Sequence, residues 1–329
     1  MKKRIAVAIG DPNGIGPEIA VKAAAQTLES NAQAVLVGDE YILRECLRRY
    51  APGVELCALD EADRADGCIA HVDIKALDPT CYQPGKVDAA AGRATVAYVS
   101  EAVRLAQAGR VDAVIGCPHS ETAVNAAGIA FTGYPGLIAQ LCGRRKDEVF
   151  LMLSAAGLRI AHVTLHESVR NALARLTPEL VVAAGAATAT ALRRLGIAQP
   201  TLGVFGINPH AGEDGLFGDE DETITKPAVA RLRTMGIAAD GPTGADLLLG
   251  QRRHDAYLAI FHDQGHIPVK LLSPLRASAL SIGADVLFSS VGHGSAFDIA
   301  GRGIADPASV IETLALLATA TVATMENRT

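Results

Sequence analysis

A mostly parallel α/β fold is predicted by three features of the chain. Short β-branched runs end in Gly, Pro or Asp, a helical pattern picks up after each, and the pairing recurs along the whole sequence. The first strand is expected at residues 5–9, feeding the turn GDPNGIGPE (10–18) and a helix through Ala20 and Ala24. Further strands are expected at 34–37, 113–115, 150–153, 160–164, 202–207 and 257–261, where Val, Ile and Leu cluster. The clearest helices are 89–108, 178–195 and 307–325, the first and last long and Ala-rich. Residues 56–86 carry scattered Pro and Asp with weak periodicity and read as an irregular excursion. Crossings between two lobes are expected near Pro118 and at 281–285. One lobe then comprises 1–118 plus 286–329 and the other 119–285.

The composition narrows the function classes. Hydrophobic residues make up 49% of 329, without Trp, so Ala, Leu, Val and Ile must fill the core. A net charge of −6 with no basic run argues against a nucleic-acid partner. No apolar run approaches the roughly 20 residues of a membrane span, and MKKRIAVAIGDP reaches Gly-Asp-Pro too early for a secretory leader, so no membrane association and a cytoplasmic location are expected. Cys46, Cys57, Cys68, Cys81, Cys117 and Cys142 include no CxxC pair and read as free thiols.

Three histidines carry the chemistry. His166 in HVTLHES, His210 in GINPHAGEDGLFG and His262 in FHDQGH each follow an expected strand, where side chains gather at the carboxyl edge of a parallel sheet. Neutral imidazoles around one divalent ion with an open position would polarise a substrate oxygen. The competing reading is that one or two are structural. Asp246 and Asp263 are candidates for further ligands or for carboxylates that fix imidazole tautomers, while His162, inside a strand, reads as core or pocket wall. Lys270, eight residues after His262, is a candidate proton donor or carboxylate clamp; a solvated surface lysine is the alternative. GDPNGIGPE matches neither GxGxxG nor a nucleoside-triphosphate loop, so an anion site there and a plain tight turn stand level. The loop HGSAFDIAGRGIADP (293–307) is denser in glycine than a plain connection needs. His293, Gly294, Ser295, Ala296 and Ile299 would allow a flat ligand to approach, with Asp298 or Asp306 accepting hydrogen bonds from it. Nucleophilic hydrolase signatures are missing: there is no GxSxG, and His119 is too near Cys117 in sequence to act as its base.

Taken in order, GDPNGIGPE, GINPHAGEDGLFG, FHDQGHIPVK and VGHGSAFDIAGRGIADP resemble the 4-hydroxythreonine-4-phosphate dehydrogenase family of pyridoxal phosphate biosynthesis over nearly the whole chain. The resemblance implies a two-lobed α/β/α fold of the isocitrate/isopropylmalate dehydrogenase type. It implies NAD with its adenosine half against His293, Gly294, Ser295, Ala296, Asp298, Ile299 and Asp306. It also implies one divalent ion on His166, His210 and His262, completed across a homodimer interface formed by the 119–285 lobe, with Lys270 binding substrate and Asp246 and Asp263 beside the metal. Zinc is the first expectation, and three imidazoles would also accept manganese, cobalt or iron.

The chain departs from the biosynthetic pattern. A Gly-His-Thr-Glu stretch becomes Gly133, Tyr134, Pro135, Gly136; a substrate-contacting Asn becomes Ala279 and an Arg becomes Phe288. A buried phosphate needs charge-assisted donors, so these losses argue against a phosphorylated substrate. CPHSETAVNAAGIAFTGYPGLIA, FLMLSAAGLRIAHVTLHESVRNAL and ASALSIGADVLFSSVGHGSAFDIAGRG are similar to the terephthalate cis-dihydrodiol dehydrogenase branch. That similarity implies a cyclohexadiene diol dicarboxylate, oxidised and decarboxylated to protocatechuate. Tyr134 and Phe288 would face the carbocycle, with His119, Ser120 or Arg276 toward a distal carboxylate. The alternatives are 4-hydroxythreonine-4-phosphate dehydrogenase or a phospho-sugar-acid relative, and, more distantly, a zinc hydrolase using Glu167 or Glu213.

Overall fold

The computed structural model describes residues 2–61, 67–274 and 276–320. The chain divides into two compact units, Met1–Cys142 with Asp285–Thr319, and a second built on Gly143–Ala284. The first unit runs β1 (Lys3–Ala8), α1 (Gly16–Gln26), β2 (Ala32–Gly38), α2 (Glu40–Tyr50), β3 (Glu55–Ala58), β4 (Cys68–Asp73), α3 (Ala89–Gln107), β5 (Ala113–Gly116), α4 (Glu121–Ala126) and α5 (Tyr134–Leu141). The second contributes β6 (Phe150–Ala155), β7 (Leu158–His162), α6 (Val169–Arg175), α7 (Pro178–Arg194), β8 (Thr201–Phe205), α8 (Lys226–Thr234), β9 (Ala238–Thr243), α9 (Ala245–Gln251), β10 (Ala256–Ala259), α10 (His262–Leu272) and β11 (Ser278–Ile282). The chain then returns to the first unit with β12 (Phe288–Val291) and α11 (Ala308–Ala318).

In the first unit the strand order is β3-β4-β2-β1-β5-β12, and every described pairing is parallel. Its central strands are apolar along their length because helices cover both faces; Ile5, Val7, Val114 and Ile115 are fully buried or nearly so. Helix starts are written in side chains. Asp88 accepts hydrogen bonds from the Ala90 and Ala91 amides, and Ser120 accepts one from Ala123 N, each satisfying amides that a helix leaves unpaired.

In the second unit the order is β11-β6-β7-β10-β8-β9. β6 and β7 form an antiparallel hairpin, turned by Ala156 and Gly157 at φ 49° and 77°, the left-handed pair that a two-residue hairpin loop requires. From β7 onward the pairings β7–β10, β10–β8 and β8–β9 are parallel. Thr177 caps α7 through Leu180 N, with Pro178 at the first helical position. Ile160, Phe205, Leu248, Tyr257 and Val269 form the core beneath.

Several expectations need correction. Residues 56–86 are not simply irregular: they hold β4, and β3 reaches into their start, both half-buried at the end of the strand order, where a weak apolar signal is normal. Cys57 and Cys68 are joined as a disulfide with Cα atoms 5.9 Å apart, because neighbouring parallel strands bring together cysteines 11 residues distant. Cys46, Cys81, Cys117 and Cys142 are outside any disulfide. The expected helix 307–325 is observed as Ala308–Ala318, and residues 321–325 lie outside the described residues. Finally, the first junction falls at Cys142/Gly143. The segment from His119 onward stays with the first unit because α4 packs on α3, where Gly92 lets the backbone at Ala123 approach too closely for any side chain.

Candidate active site

The three expected histidine segments leave three neighbouring parallel strands. β7, β10 and β8 lie side by side in that order, and their carboxyl ends lead to His166, His262 and His210 respectively. Hydrogen bonds prolong the pairing past the strand ends: Val163 N and Thr164 N donate to Ala259 O and Ile260 O, and Thr164 Oγ1 donates to Ile260 O at 2.7 Å. Gln264 ties the next two exits together. Its Oε1 accepts from Ile260 N and Phe261 N, while its Nε2 donates to Gly206 O at 3.0 Å. Beyond β8, the buried Asp221 carboxylate accepts the Ile207 and Asn208 amides, each at 2.8 Å.

His166 and His262 come together, with ring centroids 5.6 Å apart. His262 Nδ1 lies 2.7 Å from Asp263 Oδ1; the carboxylate only accepts, so Nδ1 is the donor, and in the neutral ring the lone pair is on Nε2. His210 behaves differently. Its side chain is 75% exposed, Nδ1 lies 3.1 Å from Glu213 Oε2, and its ring meets Phe217 edge-on. Backbone strain marks this loop, since His210, Ala211, Glu213 and Asp214 all hold positive φ, costly for residues other than glycine. Among the described residues no three His, Cys, Asp or Glu side chains converge as metal ligands would. One chain thus brings together two of the three expected imidazoles and keeps the third apart.

Two histidines the sequence left aside join the pair. His266 stacks on His262 with centroids 3.7 Å apart and planes 11° apart, and His162 lies behind it at 4.6 Å. Burial pushes His162 down to about 3 and His266 to about 4, so both are neutral near pH 7. Lys270, half-buried on the same helix, is held below the usual lysine range by desolvation. Asp246 is exposed in the first turn of α9, its carboxylate folded toward Gly244 at its own helix start.

The expected nucleotide loop lies in the first unit between β12 and α11. Ser295 is buried and its carbonyl accepts Ile15 N at 2.9 Å, joining this loop to the GDPNGIG turn, where a side chain on Gly14 would strike Ser295. His293 Nε2 meets Ser309 Oγ at 2.7 Å, and Asp306 accepts Ala308 N at the start of α11. Ala296 takes φ 41°, and the amides of Ile299, Ala300 and Arg302 close successive turns. Gly294 and Asp298 stay exposed. The brace of this loop was missed in the sequence: buried Glu18 accepts the Gly303 and Ala305 amides, and Lys22 donates to Glu18 at 2.6 Å and to the Gly303 and Ala305 carbonyls. A Glu and a Lys four apart in an otherwise Ala-rich helix were the available signal. Nearby, Asp11 is wholly buried, and desolvation raises its carboxyl to about 6 against the opposing Asn13 amide.

The expected substrate residues play other parts. Phe288 is fully buried and Tyr134 2% exposed, with rings 5.0 Å apart; both fill the space over Gly116. The Tyr134 hydroxyl donates to Cys117 O at 2.8 Å. They therefore pack beneath the loop after β5 instead of lining an open surface. Ser120 is buried, and its Oγ accepts Ala123 N at the α4 cap. His119 is partly exposed, packed edge-on against Tyr134 at 4.3 Å and Phe131 at 4.8 Å, and Arg276, just ahead of β11, is exposed. Ala279 is buried in β11.

Residues 30–317 match the family of pyridoxal phosphate biosynthetic protein PdxA. Over 315 residues the chain is 51% identical to 1,2-dihydroxy-3,5-cyclohexadiene-1,4-dicarboxylate dehydrogenase of a Comamonas species, covering 96% of this chain and 97% of the relative. Among solved structures, a terephthalate 1,2-cis-dihydrodiol dehydrogenase from Burkholderia xenovorans LB400 is 51% identical, with a TM-score of 0.74 over 98% of this chain and 100% of that one. The 4-hydroxythreonine-4-phosphate dehydrogenase of Klebsiella pneumoniae is 36% identical, with a TM-score of 0.86 over 97% and 98% of the two chains. A β-decarboxylating dehydrogenase from Thermococcus kodakarensis, 16% identical with a TM-score of 0.50 over 96% of this chain and 82% of that one, shares the fold alone. With relatives that are dehydrogenases and a match over most of its length, the chain belongs to the PdxA family of NAD-dependent oxidoreductases.

Proposed function

We propose that this enzyme oxidises and decarboxylates a cis-dihydrodiol dicarboxylate of the terephthalate type to protocatechuate, using NAD and a divalent ion, zinc being the first candidate, in a homodimer. The observation that carries the reading is the 51% identity to the Comamonas enzyme over 96% of the chain. The geometry supports it: histidine-bearing exits of three neighbouring strands, with His262 held as a nitrogen donor by Asp263. A divalent ion held at these exits would supply Lewis-acid polarisation of the substrate's alcohol and ketone oxygens, and NAD held against the loop before α11 would supply the hydride acceptor for an oxidation that releases carbon dioxide.

The residues of this chain have the following parts. His166 and His262 supply neutral imidazole nitrogens from one chain, and His210 completes the set with a second copy contributing to each site. Asp263 keeps the proton of His262 on Nδ1. Asp246 is the further acidic neighbour, and its exposure leaves it available at such a shared site. Lys270, made less basic by burial, clamps the carboxylate of the substrate and manages the proton on decarboxylation. Gly294 and Asp298 present an open backbone and an acceptor to the adenosine half of NAD, on the loop that Glu18 and Lys22 brace.

A second reading, action on a phosphorylated hydroxy acid, is favoured by the TM-score of 0.86 with the Klebsiella enzyme. Buried Phe288 and Ala279 speak against it, since they replace the groups that would solvate a phosphate. A panel of terephthalate and phthalate cis-dihydrodiols, D-threonate 4-phosphate and 4-phosphohydroxy-threonine, followed by formation of reduced nicotinamide, separates the two. Turnover of the terephthalate diol is expected; turnover only of a phosphorylated acid would replace the proposal.

A further inference from the structure

The order of donors and acceptors behind His262 is dictated by two backbone carbonyls. His162, 1% exposed, places Nδ1 at 3.2 Å from Leu151 O; a carbonyl only accepts, so Nδ1 carries the proton and Nε2 is the acceptor. His266 Nδ1 lies 3.0 Å from that Nε2 and 3.3 Å from His262 O, which again obliges Nδ1 to be the donor. The two assignments are independent and agree. His266 is thereby fixed in position and tautomer, with its ring face against His262 at 3.7 Å. Gly265 makes the arrangement possible. A Cβ at that position would collide with His162 Nε2, so only glycine lets α10 settle onto this ring.

We propose that His162 and His266 form a positioning pair for His262: anchored through His162 to the Leu151 carbonyl, the His266 ring sets the plane of the His262 imidazole and so the direction of its Nε2 lone pair. Asp263 fixes the His262 proton from one side while the stacked ring limits rotation from the other. The inference rests on the reading that His262 holds a divalent ion, and it makes His266 neither a metal ligand nor a catalytic residue. Two almost parallel rings 3.7 Å apart cannot both aim their in-plane lone pairs at one ion.

Zinc titration of the full-length protein, with imidazole nitrogen-15 spectra, tests this. His266→Ala is expected to weaken zinc binding by about 10- to 100-fold, the cost of losing an outer partner of a ligand, with an unchanged circular-dichroism spectrum. His266→Phe, which keeps a flat face, is expected to recover most of the loss. In the metal-free parent, His162, His262 and His266 are each expected as the Nδ1-protonated tautomer, and His262 averages between tautomers in His266→Ala. Parent-like zinc affinity in His266→Ala, or a His266 protonated on Nε2, would overturn the pairing. Should the parent itself take up no zinc, the metal reading fails while the tautomer spectra still decide whether His266 positions His262.

Discussion

The loop before α11 and the histidine edge of β7, β10 and β8 are both rich in polar groups, yet they are finished to different degrees. In the loop, Glu18 and Lys22 account for the Gly303 and Ala305 amides and carbonyls, and Ser295 and Asp306 serve neighbouring backbone. At the histidine edge, imidazoles are oriented while one expected member, His210, stands apart on strained backbone. Under the proposed function, a loop whose backbone is already paired would support a ligand, whereas imidazoles held by Asp263 and His266 would wait on an ion to complete the set.

The sharpest way to break this contrast is to remove its histidines. His166→Ala, His210→Ala and His262→Ala should each lose at least about a thousandfold in turnover, as expected when a charge-stabilising centre is lost, with thermal midpoints close to the parent. Mixing inactive His210→Ala and His262→Ala proteins under conditions that exchange subunits should restore activity if two copies share each site. No recovery would confine all three imidazoles to one chain.

The loop should respond in stability first. Glu18→Ala leaves Lys22 without its buried counter-charge and frees two amides, so denaturant unfolding should show a loss of about 3–5 kcal/mol. Weaker nicotinamide binding, read by fluorescence, should accompany it; unchanged stability would show that the brace contributes little.

Asp11 gives a smaller, pH-dependent effect. Burial lifts its folded value to about 6 from the ordinary 3.8, with the Asn13 amide opposing the rise and Asp88 adding to it. The folded state therefore binds more protons between those values, and its stability falls as pH rises from about 4 through about 6. Asp11→Asn should flatten that slope and, above pH 7, recover no more than about 3 kcal/mol, the cost of a shift of that size. An unchanged slope would remove Asp11 from the account.

Ser120→Ala should show the smallest change. Loss of the α4 cap costs about 1 kcal/mol, and KM for the diol should stay at the parent value, because Ser120 is buried at the start of α4. A raised KM would return Ser120 to the substrate.

How far these features could be read from the amino acids depends on whether their cause is local. That the exits bearing His166, His210 and His262 lie on one sheet edge was legible, because each follows a strand by a few residues and parallel pairing aligns strand ends; that only the His166 and His262 rings meet was not. Strands β9, β11 and β12 escaped notice: β9 reads AADGPT with Gly and Pro, and the other two are short runs diluted by serine. Tyr134 and Phe288 looked like substrate contacts because their types suit a flat ring, but only three dimensions show them filling the space over Gly116. The Cys57–Cys68 pairing and the Glu18–Lys22 brace depend likewise on neighbours distant in sequence. His266 was visible as a residue; its role depends on Gly265 and on His162 in another strand.

The most direct measurement is the metal content of the purified protein, by elemental analysis beside dehydrogenase activity, for the parent and for His262→Ala. One divalent ion per chain in the parent, lost together with activity in a variant that still folds, is the predicted result. Full activity on the dihydrodiol from a protein stripped of divalent metal would contradict the account.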